Sequence, residues 1–178
     1  MRIIAGRLKG RRLSAPPGQT VRPTSDSLRE TLFNVLGDRV ADARVLDGFA
    51  GTGALGLEAW SRGARTVTFI ERDRHVLRVL LANVMACGVL EACAIIRGDF
   101  LTTDEASPPF DLMLLDPPYA LDDLQAVMDR AAGLVAPAGV IVLEHSRRRT
   151  TPEHAGGVMR YRVLTAGDSA LSFYTQST

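Results

Sequence analysis

The spacing of apolar and polar residues divides the chain into an N-terminal segment and a regularly alternating region. Short apolar runs in "RIIAG" and "GRRLSAP", joined at "RLKG", predict a small hairpin or arm over residues 1–22. Leu28, Leu32, Val35 and Leu36 share one face of a helix predicted over residues 24–37, which Gly37 can end. This helix is expected to pack on a core.

From residue 44 onward the pattern predicts strands and helices in alternation. The apolar runs "RVLD", "TVTFIE", "ACAIIRGD", "FDLMLLD" and "GVIVLEH" are typical of parallel strands covered on both faces. Helical segments separate them, and the tail "GVMRYRVLTAGDSALSFYTQ" predicts two strands around "AGDS", a hairpin at the sheet edge. We expect one α/β domain over residues 1–178, with its core over residues 44–178.

The length and composition are typical of a single globular domain with a hydrophobic core. The chain has 178 residues and is 46% hydrophobic and 23% charged, and no apolar run reaches the roughly 18 residues of a membrane span. The basic N-terminus lacks the apolar core of a signal peptide, so we expect a cytoplasmic protein. The cysteines and histidines show no metal-ligand spacing, so we expect no metal site.

Charge is distributed unevenly along the chain. Residues 1–40 contain eight Arg or Lys residues against three acids, a balance of +5, whereas the remainder contains thirteen against seventeen, a balance of −4. A basic N-terminal segment indicates an anionic partner, with nucleic acid the first candidate, or else a solvated arm. The candidate RNA-binding residues of the arm are Arg7, Lys9, Arg11 and Arg12.

A glycine-rich loop, "VLDGFAGTGALG", lies between the first strand of the alternating region and its helix. Gly51, Gly53 and Gly56 match the dinucleotide-binding pattern, and Glu71 ends the next strand. A carboxylate at Asp47, directly before this loop, would repel a pyrophosphate but would accept hydrogen bonds from an ammonium group. S-adenosylmethionine, which has an ammonium and a sulfonium but no phosphate, fits this loop better than NAD does.

Acidic residues at successive strand ends complete the predicted cofactor site. Glu71 would hold ribose hydroxyls, and Asp99 would bind the adenine amine while Phe100 packs on its ring. The candidate cofactor-binding residues are Asp47, Phe49, Gly51, Gly53, Glu71, Arg72, Asp99 and Phe100.

The sequence "DPPY" follows the fourth strand of the alternating region, so it should face the same crevice. An exocyclic amine of a base is a poor nucleophile. Two acceptors, the Asp116 carboxylate and the Pro117 carbonyl held by the restricted Pro117–Pro118 backbone, could support its growing positive charge. Tyr119 offers a flat face on which to stack an unpaired base. The candidate catalytic residues are Asp116, Pro117, Pro118 and Tyr119.

These motifs resemble those of the bacterial 16S rRNA guanine-N2 methyltransferases of the RsmD type. The resemblance covers nearly the whole chain, through "RIIAGRLKGRRL", "VRPTSDSLRETLFNVL", "VLDGFAGTGALGLEAWSRGA", "IERD", "GD", "LLDPPY" and "GDSALSFY". It implies a Rossmann-like class I methyltransferase fold with a seven-stranded, mostly parallel sheet whose last strand is antiparallel. It also implies S-adenosylmethionine as the methyl donor and Arg22 and Thr24 of "RPT" as residues near the active site and its RNA.

The implied substrate is one guanine of 16S rRNA, at the 966-type position, within an assembled small-subunit particle that includes ribosomal proteins. Two other functions stay open from the residues alone: an adenine-N6 methyltransferase on DNA or RNA, and an RNA-binding assembly factor without catalysis. The segment Arg147–Arg149 follows the fifth strand on the same rim and is either a contact for RNA phosphates or a solvated turn.

Overall fold

The computed structural model of the protein describes residues 1–16 and 26–177. Within these residues, the helices are α1 (Asp26–Leu36), α2 (Ala54–Ser61), α3 (Arg74–Cys87) and α4 (Leu124–Ala132). The strands are β1 (Arg44–Asp47), β2 (Thr66–Glu71), β3 (Cys93–Arg97), β4 (Phe110–Leu115), β5 (Val135–Ser146), β6 (His154–Ala155), β7 (Val158–Ala166) and β8 (Ser169–Gln176). Two short 3-10 helices, Gly37–Val40 and Leu90–Ala92, follow α1 and α3.

These strands form one mixed sheet in the order β3-β2-β1-β4-β5-β8-β7-β6. β3, β2, β1, β4 and β5 are parallel to one another, whereas β8, β7 and β6 each pair antiparallel with their neighbours. The predicted mostly parallel sheet with an antiparallel last strand is confirmed, and the two-residue strand β6 adds an eighth to the predicted seven. The hairpin around "AGDS" is also confirmed, although β8 lies between β5 and β7 rather than at the edge.

Consecutive residues of the parallel strands point to opposite faces of the sheet, and helices cover both faces. Val45 packs with residues of α1, α2 and α3, whereas the next residue, Leu46, packs with residues of α4. Burial on both faces explains why these strands are almost continuously apolar. Because the strands are parallel, the loops after β1, β2, β3 and β4 meet at one edge of the sheet, where ligands of such folds bind.

The predicted helix over residues 24–37 is α1, which runs from Asp26 to Leu36. Residues 24 and 25 lie outside the described part of the chain. Leu28, Leu32 and Leu36 are buried against the sheet, as their spacing predicts.

The predicted N-terminal hairpin is present but contains little regular strand. Its two sides are joined by an antiparallel bridge between Arg2 and Arg12. The Ile3 N–H supports this bridge by donating to the Arg11 carbonyl (2.9 Å). Ile3 and Leu13 are buried in the core, so the hairpin is anchored by its apolar residues.

A buried carboxylate of α2 attaches this hairpin to the rest of the fold. Glu58 is fully buried, and its two oxygens accept the backbone N–H groups of Ile4 (2.7 Å) and Ala5 (3.0 Å). The Arg62 guanidinium also donates to Glu58 (2.7 Å). A buried charge is tolerated when it is paired and hydrogen-bonded in this way, so Glu58 fixes the path of the arm.

Gly6 allows the arm to touch the end of α2. Its φ is +80°, and a Cβ built there would lie 1.9 Å from the Ser61 carbonyl oxygen. The Leu8 N–H donates to Ser61 Oγ (2.9 Å), and the Arg7 N–H to the Ser61 carbonyl (2.8 Å). Because no side chain fits between the two segments, position 6 requires glycine.

Candidate active site

A crevice with a cavity of about 230 Å³ lies at the carboxyl ends of β1, β2, β3 and β4. It brings together residues from four separate loops, as the sequence predicts. Eight of the candidate cofactor and catalytic residues line it: Phe49, Gly51, Glu71, Arg72, Asp99, Phe100, Asp116 and Pro118. Gly48, Ile70 and Gly98 also line it and were not identified from the sequence.

The glycine loop between β1 and α2 forms one wall of the crevice. Gly51 and Gly53 have φ of +54° and +83°, so the loop turns through conformations that other residues rarely adopt. Gly53 lies outside the cavity lining. A Cβ on Gly53 would approach Leu80 of α3 to 2.4 Å, so this glycine lets the loop pack closely on the helix behind it.

Asp47 lies behind this loop, at the end of β1, and does not line the cavity. Its Oδ2 accepts the backbone N–H of Gly56 (2.9 Å) in the first turn of α2, whose N-cap residue is Gly53 and therefore offers no side-chain cap. Within the described residues its Oδ1 is buried without a hydrogen-bond partner.

The pKa of Asp47 rises to about 7, chiefly because burial disfavours the charged form. The hydrogen bond from Gly56 opposes this rise, and the nearby charge of Glu71 adds to it. A cationic group brought near Asp47 would favour ionisation and supply the partner that Oδ1 lacks.

Glu71 connects β2 to the glycine loop. One of its carboxylate oxygens accepts the Gly51 N–H (2.9 Å), and the other accepts the Asp73 N–H (2.7 Å). The carboxylate is thereby fixed at the cavity wall, and each oxygen keeps a further lone pair for a ligand hydroxyl.

Asp99 and two aromatic rings form the wall beyond β3. Asp99 accepts the Leu101 N–H (2.9 Å), and its second oxygen lies 3.5 Å from the Arg72 guanidinium. The rings of Phe49 and Phe100 are 5.2 Å apart at 47°, an apolar surface of the kind on which a flat ring packs.

Of the three lining residues that were not identified from the sequence, two lie in recognisable motifs and one does not. Gly48 must be small, because a Cβ there would lie 2.6 Å from Leu115 and 2.9 Å from Phe100. Its position in "LDGFAG" and that of Gly98 in "GD" were available signals. Ile70 carried none, since its apolar side chain fits the core pattern of β2 equally well.

The "DPPY" sequence follows β4 as predicted, but its four residues differ in environment. Asp116 and Pro118 line the cavity, and Pro117 is buried. Tyr119 lies outside the cavity lining and is 47% exposed, with its hydroxyl 3.5 Å from Ser169 Oγ at the start of β8. Its carbonyl accepts a hydrogen bond from the Arg149 guanidinium (3.3 Å).

The candidate RNA-binding residues of the arm lie apart from this cavity. Arg7 reaches the C-terminal end of α2, where its guanidinium donates to the Trp60 carbonyl (3.0 Å) and lies 4.1 Å from the Trp60 ring centre. Lys9, Arg11 and Arg12 are exposed. Arg22 and Thr24 lie outside the described residues. A contact of the arm with RNA stays a prediction.

In residues 1–16 and 26–177, no helix is long and apolar enough to cross a membrane. The same residues contain no group of three or more His, Cys, Asp or Glu side chains placed to hold a metal ion.

Comparison with known proteins gives consistent matches over most of the chain. A family model described as Conserved hypothetical protein 95 matches residues 1–175. Ribosomal RNA small subunit methyltransferase D of Escherichia coli is 34% identical over 176 residues, which cover 98% of this chain and 89% of that protein. These matches confirm the resemblance stated from the sequence motifs.

Two solved structures extend the comparison to the fold. The Escherichia coli protein yhhF has a TM-score of 0.87 at 34% identity, covering 99% of this chain and 97% of its own. The 16S rRNA N2 G1207 methyltransferase RsmC of Thermus thermophilus, solved with AdoMet and guanosine, has a TM-score of 0.72 at 25% identity. That match covers 90% of this chain and 45% of the other.

Proposed function

The chain belongs to the family described as Conserved hypothetical protein 95 and is an rRNA methyltransferase, and from this premise we propose its donor, its target atom and its site residues. The proposed reaction transfers a methyl group from S-adenosylmethionine to the exocyclic N2 of a guanine in 16S rRNA, at the 966-type position. The proposed substrate is an assembled small-subunit particle in the cytoplasm, where ribosomal proteins accompany the RNA.

The single observation that carries the proposal is the shared cavity of the glycine loop and "DPPY". Gly51 and Glu71 of one side, and Asp116 and Pro118 of the other, line the same space. A methyl donor and an acceptor amine held there would be neighbours, which is the requirement of a direct displacement.

The residues of the crevice fit S-adenosylmethionine, which when bound supplies a methyl group on an electrophilic sulfonium. Asp47 lies behind the glycine loop, and its buried Oδ1, which has no hydrogen-bond partner among the described residues, suits an ammonium group. Glu71 is fixed by two backbone N–H groups and suits ribose hydroxyls. Asp99 and the Phe49–Phe100 surface suit the amine and the ring of adenine.

On the acceptor side, this chain's own groups would orient the base and stabilise charge. The Asp116 carboxylate and the Pro117 carbonyl would accept the two N–H bonds of the exocyclic amine, and the carboxylate would offset the positive charge that grows on nitrogen. The exposed ring of Tyr119 would stack on the extruded base. The proton lost from the methylated amine would pass to Asp116 or to water.

Guanine N2 is proposed over adenine N6 because of two similar proteins. The Escherichia coli protein that matches 98% of this chain is a small-subunit rRNA methyltransferase, and RsmC of Thermus thermophilus is a methyltransferase for N2 of a guanine. The position and the particle are proposed from the sequence resemblance.

A methyl-transfer assay tests this function. Undermodified small subunits, protein-free 16S rRNA and duplex DNA would each be incubated with labelled S-adenosylmethionine, and the product nucleoside would be identified by mass spectrometry. We expect N2-methylguanosine in the small subunits and none in DNA. N6-methyladenosine would refute the proposed target atom, and an absence of labelled RNA would refute catalysis.

A further inference from the structure

The turn Arg147–Arg149 lies at the same edge of the sheet as the candidate active site. It follows β5 directly, and β5 is parallel to β4, which leads into "DPPY". The β7–β8 turn approaches from the other side, because β8 begins at Ser169, opposite Ser146. Arg147–Arg149 therefore stands on the rim of the crevice, next to the catalytic sequence.

The backbone of this turn is fixed, and two of its side chains point away from the fold. The Arg147 N–H donates to the Asp168 carbonyl (2.8 Å), and the Arg149 N–H donates to the Ser146 carbonyl (2.9 Å). Arg147 and Arg148 are exposed. The turn thus presents two neighbouring guanidinium groups from a backbone that is held by hydrogen bonds. One exposed acid, Asp168 in the facing β7–β8 turn, offsets only part of their positive charge.

The third arginine couples this turn to the candidate catalytic sequence. The Arg149 guanidinium donates to the Tyr119 carbonyl (3.3 Å), while the Tyr119 hydroxyl lies 3.5 Å from Ser169 Oγ. Arg149 is half-buried, in contrast to its two neighbours. An anion bound by Arg147 and Arg148 would therefore be held in a defined position relative to the ring of Tyr119.

We propose that Arg147 and Arg148 form a phosphate-binding surface that holds the backbone of the RNA strand from which the target base is extruded onto Tyr119. This inference rests on the proposed function for the identity of the polyanion. Guanidinium groups suit phosphates because each offers a planar set of donors, and backbone contacts of this kind position a strand without reading its sequence. Lifting a base out of its stack costs free energy, and contacts to the backbone of the same strand help to offset that cost.

The N-terminal arm places fewer available guanidinium groups near the crevice. Arg7 is occupied by the carbonyl and the ring of Trp60, at the end of α2 opposite the glycine loop. The number of positive charges in the sequence favours the arm as the contact for phosphates. Position in the fold, next to the crevice, favours Arg147 and Arg148 instead.

Binding of a short single-stranded RNA tests the inference, measured by fluorescence anisotropy over a series of KCl concentrations. R147Q/R148Q should weaken binding about tenfold or more, as expected for lost charged hydrogen bonds. It should also lower the slope of log K against log[salt] by about 1.4, at about 0.7 for each lost phosphate contact.

Two matched variants make the test specific. R39Q/R65Q removes the same charge from exposed residues that precede β1 and β2, at the opposite edge of the sheet, and should leave most of the slope intact. R147K/R148K retains the charge and should retain most of the slope. Thermal unfolding of each variant checks that the exposed substitutions preserve the fold.

Three results would overturn the inference. An unchanged slope in R147Q/R148Q, or an equal loss in R39Q/R65Q, would show that this turn makes no special phosphate contact. Loss of affinity for small-subunit particles with full affinity for protein-free RNA would place a ribosomal protein on the turn instead. The assay measures binding alone, so a wild-type protein that transfers no methyl group would refute the proposed function and not this surface.

Discussion

The two halves of the crevice are built in different ways. In the donor half, formed by the loops after β1, β2 and β3, each carboxylate already accepts backbone N–H groups: Asp47 from Gly56, Glu71 from Gly51 and Asp73, and Asp99 from Leu101. In the acceptor half, formed by Asp116–Tyr119, two prolines restrict the backbone, and Arg149 and Ser169 contact Tyr119 from later segments.

Under the proposed function, the donor half would serve the fold and the cofactor with the same atoms. Its acids hold the glycine loop and the start of α2, so they are in place before any ligand arrives. The acceptor half is exposed at Pro118 and Tyr119, where substitutions have fewer packing consequences. Substitutions in the donor half should therefore change stability and cofactor affinity together, whereas those in the acceptor half should change turnover.

The largest expected effect is that of Asp116→Ala on turnover. Loss of a preorganised charged acceptor should lower kcat about 10²- to 10³-fold, by analogy with removal of one preorganised hydrogen-bonding group from other active sites. Affinity for S-adenosylmethionine, measured by titration calorimetry, should stay within a fewfold of wild type. A variant that no longer binds the cofactor would contradict the assignment of Asp116 to the acceptor half.

Glu71→Ala should have the next largest effect and should act on two properties at once. It removes the acceptor for the Gly51 and Asp73 N–H groups, so we expect a loss of about 1–3 kcal/mol in unfolding free energy together with weaker cofactor binding. Denaturant unfolding measures the loss in stability, and titration calorimetry measures the loss in cofactor affinity. Glu71→Gln, which keeps an acceptor oxygen, is the control and should lose less stability and less cofactor affinity. Weaker cofactor binding at full stability would break the comparison between the halves.

Arg149→Ala should lower turnover moderately, by roughly fivefold, because one hydrogen bond of about 1 kcal/mol to the Tyr119 carbonyl is lost. Cofactor affinity should stay unchanged, since Arg149 acts by positioning Tyr119, and the unfolding free energy should fall by no more than about the same 1 kcal/mol. Arg149→Lys, which can still donate to that carbonyl, should restore part of kcat. A variant with normal kcat and reduced cofactor affinity would place Arg149 in the donor half.

The last prediction is a pH dependence that originates at Asp47. Its pKa is about 7 in the folded protein and ordinarily 3.8, so between these values the folded state binds more protons than the unfolded state. The free energy of unfolding should therefore fall, from this group, as pH rises from about 4 to 7. Asp47→Asn should remove this contribution, which thermal unfolding of both proteins at several pH values would measure.

Cofactor binding gives the opposite dependence for the same group. An ammonium beside Asp47 favours its ionised form, so affinity for S-adenosylmethionine should rise with pH through about 7 in the wild type and less so in Asp47→Asn. A wild-type affinity that is independent of pH would indicate that the ammonium lies elsewhere.

Much of the fold was accessible from the sequence because its signals are local. Apolar runs predicted the parallel strands, and an acid at the end of a strand, as at Glu71, or directly after it, as at Asp116, predicted a side chain at the carboxyl edge. Parallel pairing then brings such ends together whatever the intervening segments are. This is why the sequence alone could place most of the candidate cofactor residues at one crevice, where six of the eight line the cavity.

The remainder depends on contacts between distant segments, which a local pattern does not encode. Glu58 looks like an ordinary polar residue of α2, yet it is fully buried and binds the N–H groups of Ile4 and Ala5. Arg7 counts as a free positive charge in the sequence, whereas Trp60 engages it in the structure. The interior position of β8 likewise follows from which strands it pairs with and not from its composition.

The attachment of the arm through Glu58 has a consequence for how the protein is made. Ile4 precedes its carboxylate partner by 54 residues, and Ser14 precedes Asn83, which accepts its N–H, by 69. During translation, the arm is synthesised before α2 and α3 and can dock only after these helices have formed. The arginine-rich segment therefore stays without its buried partners for as long as those helices are incomplete.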